Sequence, residues 1–502
     1  MNRALCVGVA LVLTGHAGPN ASASAEETQP ISVAQAIERA VAGNADLRRE
    51  RVAVAQAAAR QLVAEGQFDV VLDAGLDTKR DLLPPLSCTT PPCQDLPLVK
   101  STTTKLGLGI SRALESGGIL RLAALASRTA ADAPADSGLL SGTYITSGLA
   151  LTFTHPLLRG FGTEVTLANL RKARIQRDAA QLGRQMRACN VLRDVIIAYW
   201  ELAYATQDLA IKQSALDLAD EQLRITQALI AVGRLADSDA ASVERAIAQR
   251  QEELTTDEQI LFFRSLDLRR LLGLPADVNG PLLAAADAPG TGAPHVDEAA
   301  DIGRALEANP QLRALKLGQE LSQADLATAR STLRPRLDFT GGVGPIGFKP
   351  GLADSIKQAA GLSALTWSAG LAFELSVENR AARGQLRVAE EDLNLARLNA
   401  EDFALQLRDL VLRAARGTRT AGTRVSLGQR EVEFAHQNLD AEHARFQAGR
   451  ATNNDVLLRQ QELKDAETRL LRATVDQSEA EATLAAATAE ILDRYGVVLK
   501  GL

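Results

Sequence analysis

Apolar residues recur along this chain with two periods, and the period changes in the same order in each half of the sequence. From about Val33 to Gly66, and again from Val296 to Leu333, the spacing is helical. Alternation follows. Phe68, Val70, Leu72, Ala74 and Leu76 share one face, with Asp69, Asp73 and Asp77 on the other. Ile145, Leu149, Leu151 and Phe153 oppose Thr146, Gly148 and Thr152, and Leu365, Trp367, Leu371, Phe373 and Leu375 oppose Thr366, Ser368, Gly370 and Glu374. Period two with one apolar face marks a strand between two different media. Each run is about the ten residues that cross a bilayer when tilted, although a water-soluble antiparallel sheet satisfies the alternation equally.

The helical period then returns over proline-free stretches. Thr163 to Val232 is 70 residues and Glu378 to Ala448 is 71, and the first would be about 105 Å long at helical rise. Leu386/Ala389, Leu393/Ala396, Ala400/Phe403 and Leu407/Leu410 keep a seven-residue repeat, the signal of a coiled coil. Helices this long need partners along their whole length.

The two halves match in order. "AIERAVAGNADLR" (36–48) resembles "DIGRALEANPQLR" (301–313) at an offset of 265, which still relates Leu72-Asp73 to Leu337-Asp338. "AVGRLADSDA" (231–240) matches "QAGRATNNDV" (447–456) at 216, as "NLRKA" (169–173) matches "QLRVA" (385–389). This order reads as a tandem duplication, a first repeat over 31–290 and a second over 294–502. Strand regions are expected at about 68–155 and 335–376, with long helical hairpins at about 163–272 and 378–493. The offsets differ by 49 residues, so the first copy carries that many extra between Asp73 and Asn169. Insertions gather in surface loops, and the first copy is expected to project here, whether as added membrane strands or as extracellular loop alone.

Composition narrows the setting. Arg3, the apolar "ALCVGVALVL" and the small-residue "ASASA" ending at Ala25 read as a cleaved export signal over 1–25. Its loss removes one arginine and no acid, taking the net charge from -6 to -7, which argues against nucleic acid as a partner. No later segment offers ~18 consecutive apolar residues, so no helical membrane span is expected, whereas a β-barrel would leave only weak alternation. Aromatics at 3% are scarce for one large globular core. Cys88 and Cys93 bracket "TTPP" and read as a loop disulfide in an oxidising compartment, while Cys189 stands alone.

No catalytic constellation stands out, and neither an enzyme, a cofactor nor a metal site is expected. The five histidines are scattered, and "GGVGPIG" (341–347) lacks the Lys-Ser/Thr of a phosphate loop and reads as a loop at a strand end. The arginines between Arg408 and Arg424 read as a solvated helix face. Two helix–helix turns carry more information. Gly233 and Gly449 can take the positive φ that ends a helix, and Asp237-Ser238 or Thr452-Asn453 can cap the next one. Asp239 and Asp455 each follow the glycine by six residues, and as plain helix residues they would complement the N-terminus.

Two stretches carry a family resemblance. "HPLLRGFG" (155–162) resembles the first-copy signature of the TolC-like outer-membrane efflux proteins, with His155 where glutamine is more usual. "ELSVENRAARGQLRVAE" (374–390) resembles the second-copy counterpart, with Val377 where proline is common. The resemblance covers nearly all of the mature chain. It implies an α+β membrane protein, a tandem-duplicated protomer giving strands to a shared trimeric outer-membrane β-barrel and long helices to a periplasmic α-helical coiled-coil barrel. Pro156, Gly160 and Gly162 would mark the conversion from strand to helix. Physics reaches part of this: about four spanning strands cannot close a barrel whose smallest form has about eight, so other copies must supply the rest.

The resemblance further implies a passive exit duct in the cell outer membrane that works with a periplasmic adaptor and an inner-membrane RND or ABC transporter. Val232, Gly233, Arg234, Ala448, Gly449 and Arg450 would face the adaptor. A ring of Asp239 and Asp455 at the entrance would favour cations. The tyrosine, arginine and second acid that help close the entrance in that family are replaced by Phe446, Ala451 and Leu458. Within this class the alternative is the channel of a type I protein secretion system; outside it, a soluble periplasmic coiled-coil scaffold.

Overall fold

Helix breaks and strand ends fall where capping residues, glycine and proline dictate. The computed structural model describes residues 28–83, 99–132, 141–276, 281–292, 294 and 296–499. The expected signal over 1–25 and the Cys88/Cys93 pair lie outside the described residues. In chain order the elements are β1 (Thr28–Ile31), α1 (Val33–Gly43), α2 (Ala45–Glu65), β2 (Val70–Leu83), β3 (Val99–Ala113), β4 (Ile119–Asp132), β5 (Gly142–Pro156), α3 (Thr163–Thr166), α4 (Ala168–Ala231), α5 (Asp237–Leu271) and β6 (Leu282–Ala285). Then come α6 (Glu298–Ala308), α7 (Pro310–Thr332), β7 (Arg336–Lys349), α8 (Leu352–Ala360), β8 (Leu365–Glu374), α9 (Arg380–Gln447), α10 (Asn453–Ala487) and α11 (Ile491–Arg494).

The chain forms two compact units, each drawing on both halves of the sequence. One is built from described residues within Met1–Asn44, Asp194–Pro294 and Gly417–Ala482. In it β1 and β6 pair in parallel, and the Tyr199 hydroxyl donates to the Asp287 carboxylate at 2.9 Å while accepting the Asp287 amide at 3.0 Å. Burial pushes that phenol up to about 12. The unit also holds α1 and four longer helical segments, with cores at Leu216, Ala219, Val243, Ile247 and Leu457, and at Leu439, Phe446, Val456 and Leu463.

The other unit is built from described residues within Ala45–Arg193, His295–Arg416 and Thr483–Leu502. Its helical part shows the expected seam: Ala382, Ala389, Leu393, Ala400, Leu407, Val411 and Ala415 of α9 are buried. Leu410, expected on that seam, is exposed and Val411 replaces it, because a straight helix drifts from a strict seven-residue repeat. Asn309 starts α7 by accepting the amides of Gln311 and Leu312 at 3.0 and 3.2 Å, with Pro310 at the first helical position. The arginines from Arg408 to Arg424 are exposed.

This unit also holds one antiparallel sheet, with strands in the order β2-β3-β4-β5-β7-β8. Six strands form where about four were expected. The extra length of the first half includes β3 and β4, which enter the sheet between β2 and β5 in unbroken register. The physical reason is their own alternation, Leu106, Leu108 and Ile110 on β3 and Leu120, Leu122, Ala124 and Ala126 on β4, which continues one apolar face. Gly341–Gly347 likewise lies inside β7 rather than in a loop. Glycine is needed there because α8 lies against the sheet: a side chain at Gly347 would overlap the Ser355 carbonyl. Ser147 and Ser355 hydroxyls meet at 2.7 Å beneath it.

Among the described residues the edge strands β2 and β8 each pair on one side only, so both edges of the sheet are open. Cross-strand register puts Leu72 and Leu76 of β2, Leu108 of β3, Leu122 of β4, Leu151 of β5, Val343 of β7 and Trp367 and Leu371 of β8 on one face. It is the face α8 partly covers at Ser147 and Gly347, and Trp367 is 77% exposed. The opposite face carries Asp73, Lys105, Arg121, Ser127, Thr152 and Ser368. Among the described residues no helix is long and apolar enough to cross a membrane.

Candidate functional site: the helix turns and the strand-to-helix junction

Two helix turns in the first unit share one construction. Gly233 and Gly449 adopt φ of 75° and 70°. The amide of Arg234 donates to Leu229 at 2.9 Å and that of Gly233 to Ile230 at 2.8 Å; Arg450 and Gly449 repeat this to Arg445 and Phe446 at 2.8 and 2.9 Å. These paired bonds satisfy the last carbonyls of each helix, and the left-handed residue between them must be glycine to avoid strain. Val232, Gly233, Arg234, Ala448, Gly449 and Arg450 are all exposed.

The next helices start differently. Thr452 caps α10, its Oγ1 accepting the Asp455 amide at 3.3 Å, while the Asp455 carboxylate accepts from the Thr452 amide and hydroxyl at 2.9 and 2.7 Å. Those bonds hold the Asp455 carboxyl below its usual range. At α5 neither Asp237 nor Ser238 is the cap. Ala236 occupies that place, and only the returning half of the box exists, from the Ala236 amide to Asp239 at 3.1 Å. Each acid therefore serves its helix end, as the plain reading has it, and both stand at the turns.

Asn453 does something other than cap. Its side chain is buried and its Oδ1 accepts from Gln222 at 2.7 Å and from Thr226 at 3.0 Å. A polar ladder continues from there between the two hairpins. Arg250 reaches Gln460 at 3.2 Å, Lys464 reaches Glu253 at 2.7 Å, and Thr468 reaches Asp208 at 3.0 Å. Such groups fix register, since a slip would strand buried donors and acceptors. Phe446 is buried against Val456 and Leu463, with Ile225, Leu229 and Ala451 alongside. Leu458 is exposed. Sequence reasoning missed this ladder, whose only signal is polar residues at core-facing helical positions.

The ladder ends in a charged cluster. Arg472 contacts Glu201 at 2.7 Å, Asp476 at 2.6 Å and Glu479 at 3.4 Å, and Arg264 approaches Glu201 at 3.2 Å. Burial pushes the Glu479 carboxyl up, Arg472 pulls it down, and the hydrogen bond and charge of Glu201 leave it at about 7. Burial also pushes Glu201 up, but Arg472, the Glu479 proton and Arg264 outweigh it and hold Glu201 below the usual range.

The junction lies in the second unit. β5 ends at Pro156, and the chain stays tied to the sheet side by Leu157 donating to Leu337 at 2.7 Å and Arg159 to Pro335 at 3.2 Å. Gly160 and Gly162 then take φ of 84° and 97°, and the helices begin. His155 Nδ1 lies 2.7 Å from the Pro156 carbonyl, so Nδ1 donates; in the neutral ring Nε2 then accepts from the Ser116 hydroxyl at 3.2 Å. The second junction, after β8, turns through Asn379 at φ 45°, whose side chain donates to Leu333 at 3.2 Å. Among the described residues no group of three histidine, cysteine or acidic side chains is placed to hold a metal ion.

This architecture has relatives. Residues 111–274 and 302–490 match the profile of the outer membrane efflux protein family. The chain is similar in fold to the outer-membrane channel OprN, at 17% identity and a TM-score of 0.64 over 95% of this chain and 97% of that one. It is also similar to a membrane protein from Pseudomonas aeruginosa (16%, TM-score 0.65, 96% and 98%). A third likeness is to the MtrE outer membrane channel of Neisseria gonorrhoeae in its open state (14%, TM-score 0.63, 96% and 98%). A search of curated proteins returns no relative. With more than half its length matched, the chain belongs to the outer membrane efflux protein family, and its place is the cell outer membrane with the helical part in the periplasm.

Proposed function

We propose that the protein is the passive exit duct of a tripartite efflux system, a homotrimer working with a periplasmic adaptor and an inner-membrane RND or ABC transporter. One observation carries this reading: a sheet with two open edges and one exposed apolar face continues into helices of 64 and 68 residues. Open edges and a lipid-like face are unsatisfied in a lone chain. Edge-to-edge joining of copies closes the sheet into a barrel, and the long helices line up as its periplasmic tunnel. The alike turns at Gly233 and Gly449 support a tandem duplication. In the trimer Asp239 and Asp455 contribute up to six carboxylates at the tunnel entrance and favour cations there, and the six exposed turn residues are the adaptor contact.

The test is extraction and mass. The duct reading expects detergent-dependent solubility and a trimer by light scattering, with crosslinks from Arg234 and Arg450 capturing an adaptor in cells. A water-soluble monomer ends it.

A further inference from the structure

Resting on the trimeric duct reading, we infer that the hairpin β3–β4 is part of the membrane wall, so that the barrel has eighteen strands, six from each of three copies. Four features of the hairpin support a membrane position over an extracellular lobe. The first is length. β3 and β4 have 15 and 14 residues, as β5 and β2 do. Fourteen residues extend about 46 Å, which a tilt near 40° leaves at roughly 35 Å across the membrane, more than the ~25 Å apolar band of such barrels.

The second is the face. Strand register keeps Leu106, Leu108 and Ile110 of β3, and Leu120, Leu122, Ala124 and Ala126 of β4, level with Leu76 of β2 and Leu151 of β5. Leu108 is 54% and Leu122 44% exposed. Arg112 bounds this belt at one end, beside Leu120, and Arg128 at the other, beside Thr104. Eight residues separate the two levels, about 26 Å along the strands. Arginines at both rims can reach the interface with apolar stems still in the belt.

The third is the opposite face. Arg121 of β4 bonds Asp73 of β2 at 2.6 Å, directly over Gly109 of β3. A side chain at Gly109 would meet the Asp73 carboxylate at 2.6 Å. An ion pair spanning three strands suits a water-filled lumen and not lipid.

The fourth is the turn. Residues 114–118 join β3 to β4 at the end of the sheet where β5 passes into helix. Gly162 donates to Ser116 at 3.3 Å, and Ser116 bonds His155. A side chain at Gly118 would stand 2.8 Å from the His155 ring, and Gly117 takes φ 98°. The inserted hairpin thus runs the full depth of the sheet and is fastened at the junction. His155 is one of the residues that hold it, together with Gly162.

Diameter grows roughly linearly with strand number, so eighteen strands give a wall about 1.5 times as wide as twelve. Electron cryomicroscopy of the wild-type trimer in nanodiscs should show eighteen strands around the three-fold axis. A twelve-stranded wall with residues 99–132 outside it would overturn the inference while leaving the duct intact; a non-trimer or a soluble protein would instead sink the duct reading. Nitroxides at Leu108→Cys, Leu122→Cys and Ser127→Cys, in a background lacking the native cysteines, supply a second measure. The leucine sites should relax with oxygen in lipid and Ser127 with a water-soluble nickel chelate. Equal access of the chelate to all three would also overturn it.

Discussion

Glu479→Gln is expected to stabilise the protein above neutral pH and to leave it unchanged in mild acid. The native Glu479 carboxyl stands at about 7 against an ordinary 4.5, chiefly through burial. A raised carboxyl contributes stability that is complete below the ordinary value and is lost as pH rises through about 7. At 1.36 kcal/mol per pH unit the gap sets a ceiling near 3 kcal/mol above that range. The Glu479 side chain is 20% exposed, and solvent screening reduces the figure to about 1–2 kcal/mol. Glutamine keeps the neutral donor toward Glu201 and cannot ionise. For a chain this long the gain is about 1–2 °C in melting midpoint at about pH 8.5, and none at about pH 5. Infrared spectra should show a protonated-carboxyl band that titrates near neutrality and vanishes in the variant. A gain of equal size at both pH values, or no such band in the wild type below neutrality, would refute the shared-proton account.

Other outcomes follow from the same structure. Asp239→Asn with Asp455→Asn should leave helix content unchanged by circular dichroism and lower cation selectivity in planar bilayers; unchanged selectivity confines both acids to helix ends. Asn453→Ala strips the Gln222 amide of its acceptor, while Thr226 keeps its bond to the Gln222 carbonyl. It should cost about 1–3 kcal/mol, read as a lower denaturation midpoint, whereas a neutral result would mean the ladder is dispensable. Cys189 is buried and its thiol pushed up to about 11, so it should resist alkylation until the protein unfolds. Cys88 and Cys93 are predicted to be bonded, and full alkylation of both without reductant would contradict it.

Much of the fold was legible because its signals are local. The helix ends at Gly233 and Gly449, the strand end at Pro156 and the α9 seam all follow from residue type and spacing. The β3–β4 hairpin falls inside the strand region expected at 68–155, but the sequence leaves added strands and loop undecided there, for two reasons. Its alternation is carried by glycine, threonine and alanine as much as by leucine, which weakens the contrast between faces. The repeat comparison also marks it only as surplus length, and surplus length is ordinarily loop. Gly341–Gly347 misled in the opposite sense: Gly347 answers the close approach of α8 and Gly344 that of the Leu149 carbonyl on β5, contacts invisible in sequence. The Asn453 ladder escaped because a polar residue beside a turn reads first as a cap.

The open edges of the sheet have a genetic consequence. In the proposed trimer every seam that closes the wall is made by two chains, β2 of one against β8 of the next. A lesion on β2 or β8 that blocks edge pairing would act as a recessive loss, because the damaged chain never enters a ring. A lesion at the turns, which leaves the edges sound, would be incorporated and would poison mixed rings. The share of working ducts would then fall as a power of the normal fraction. Dominance in a cell carrying both alleles thus maps onto position along the chain.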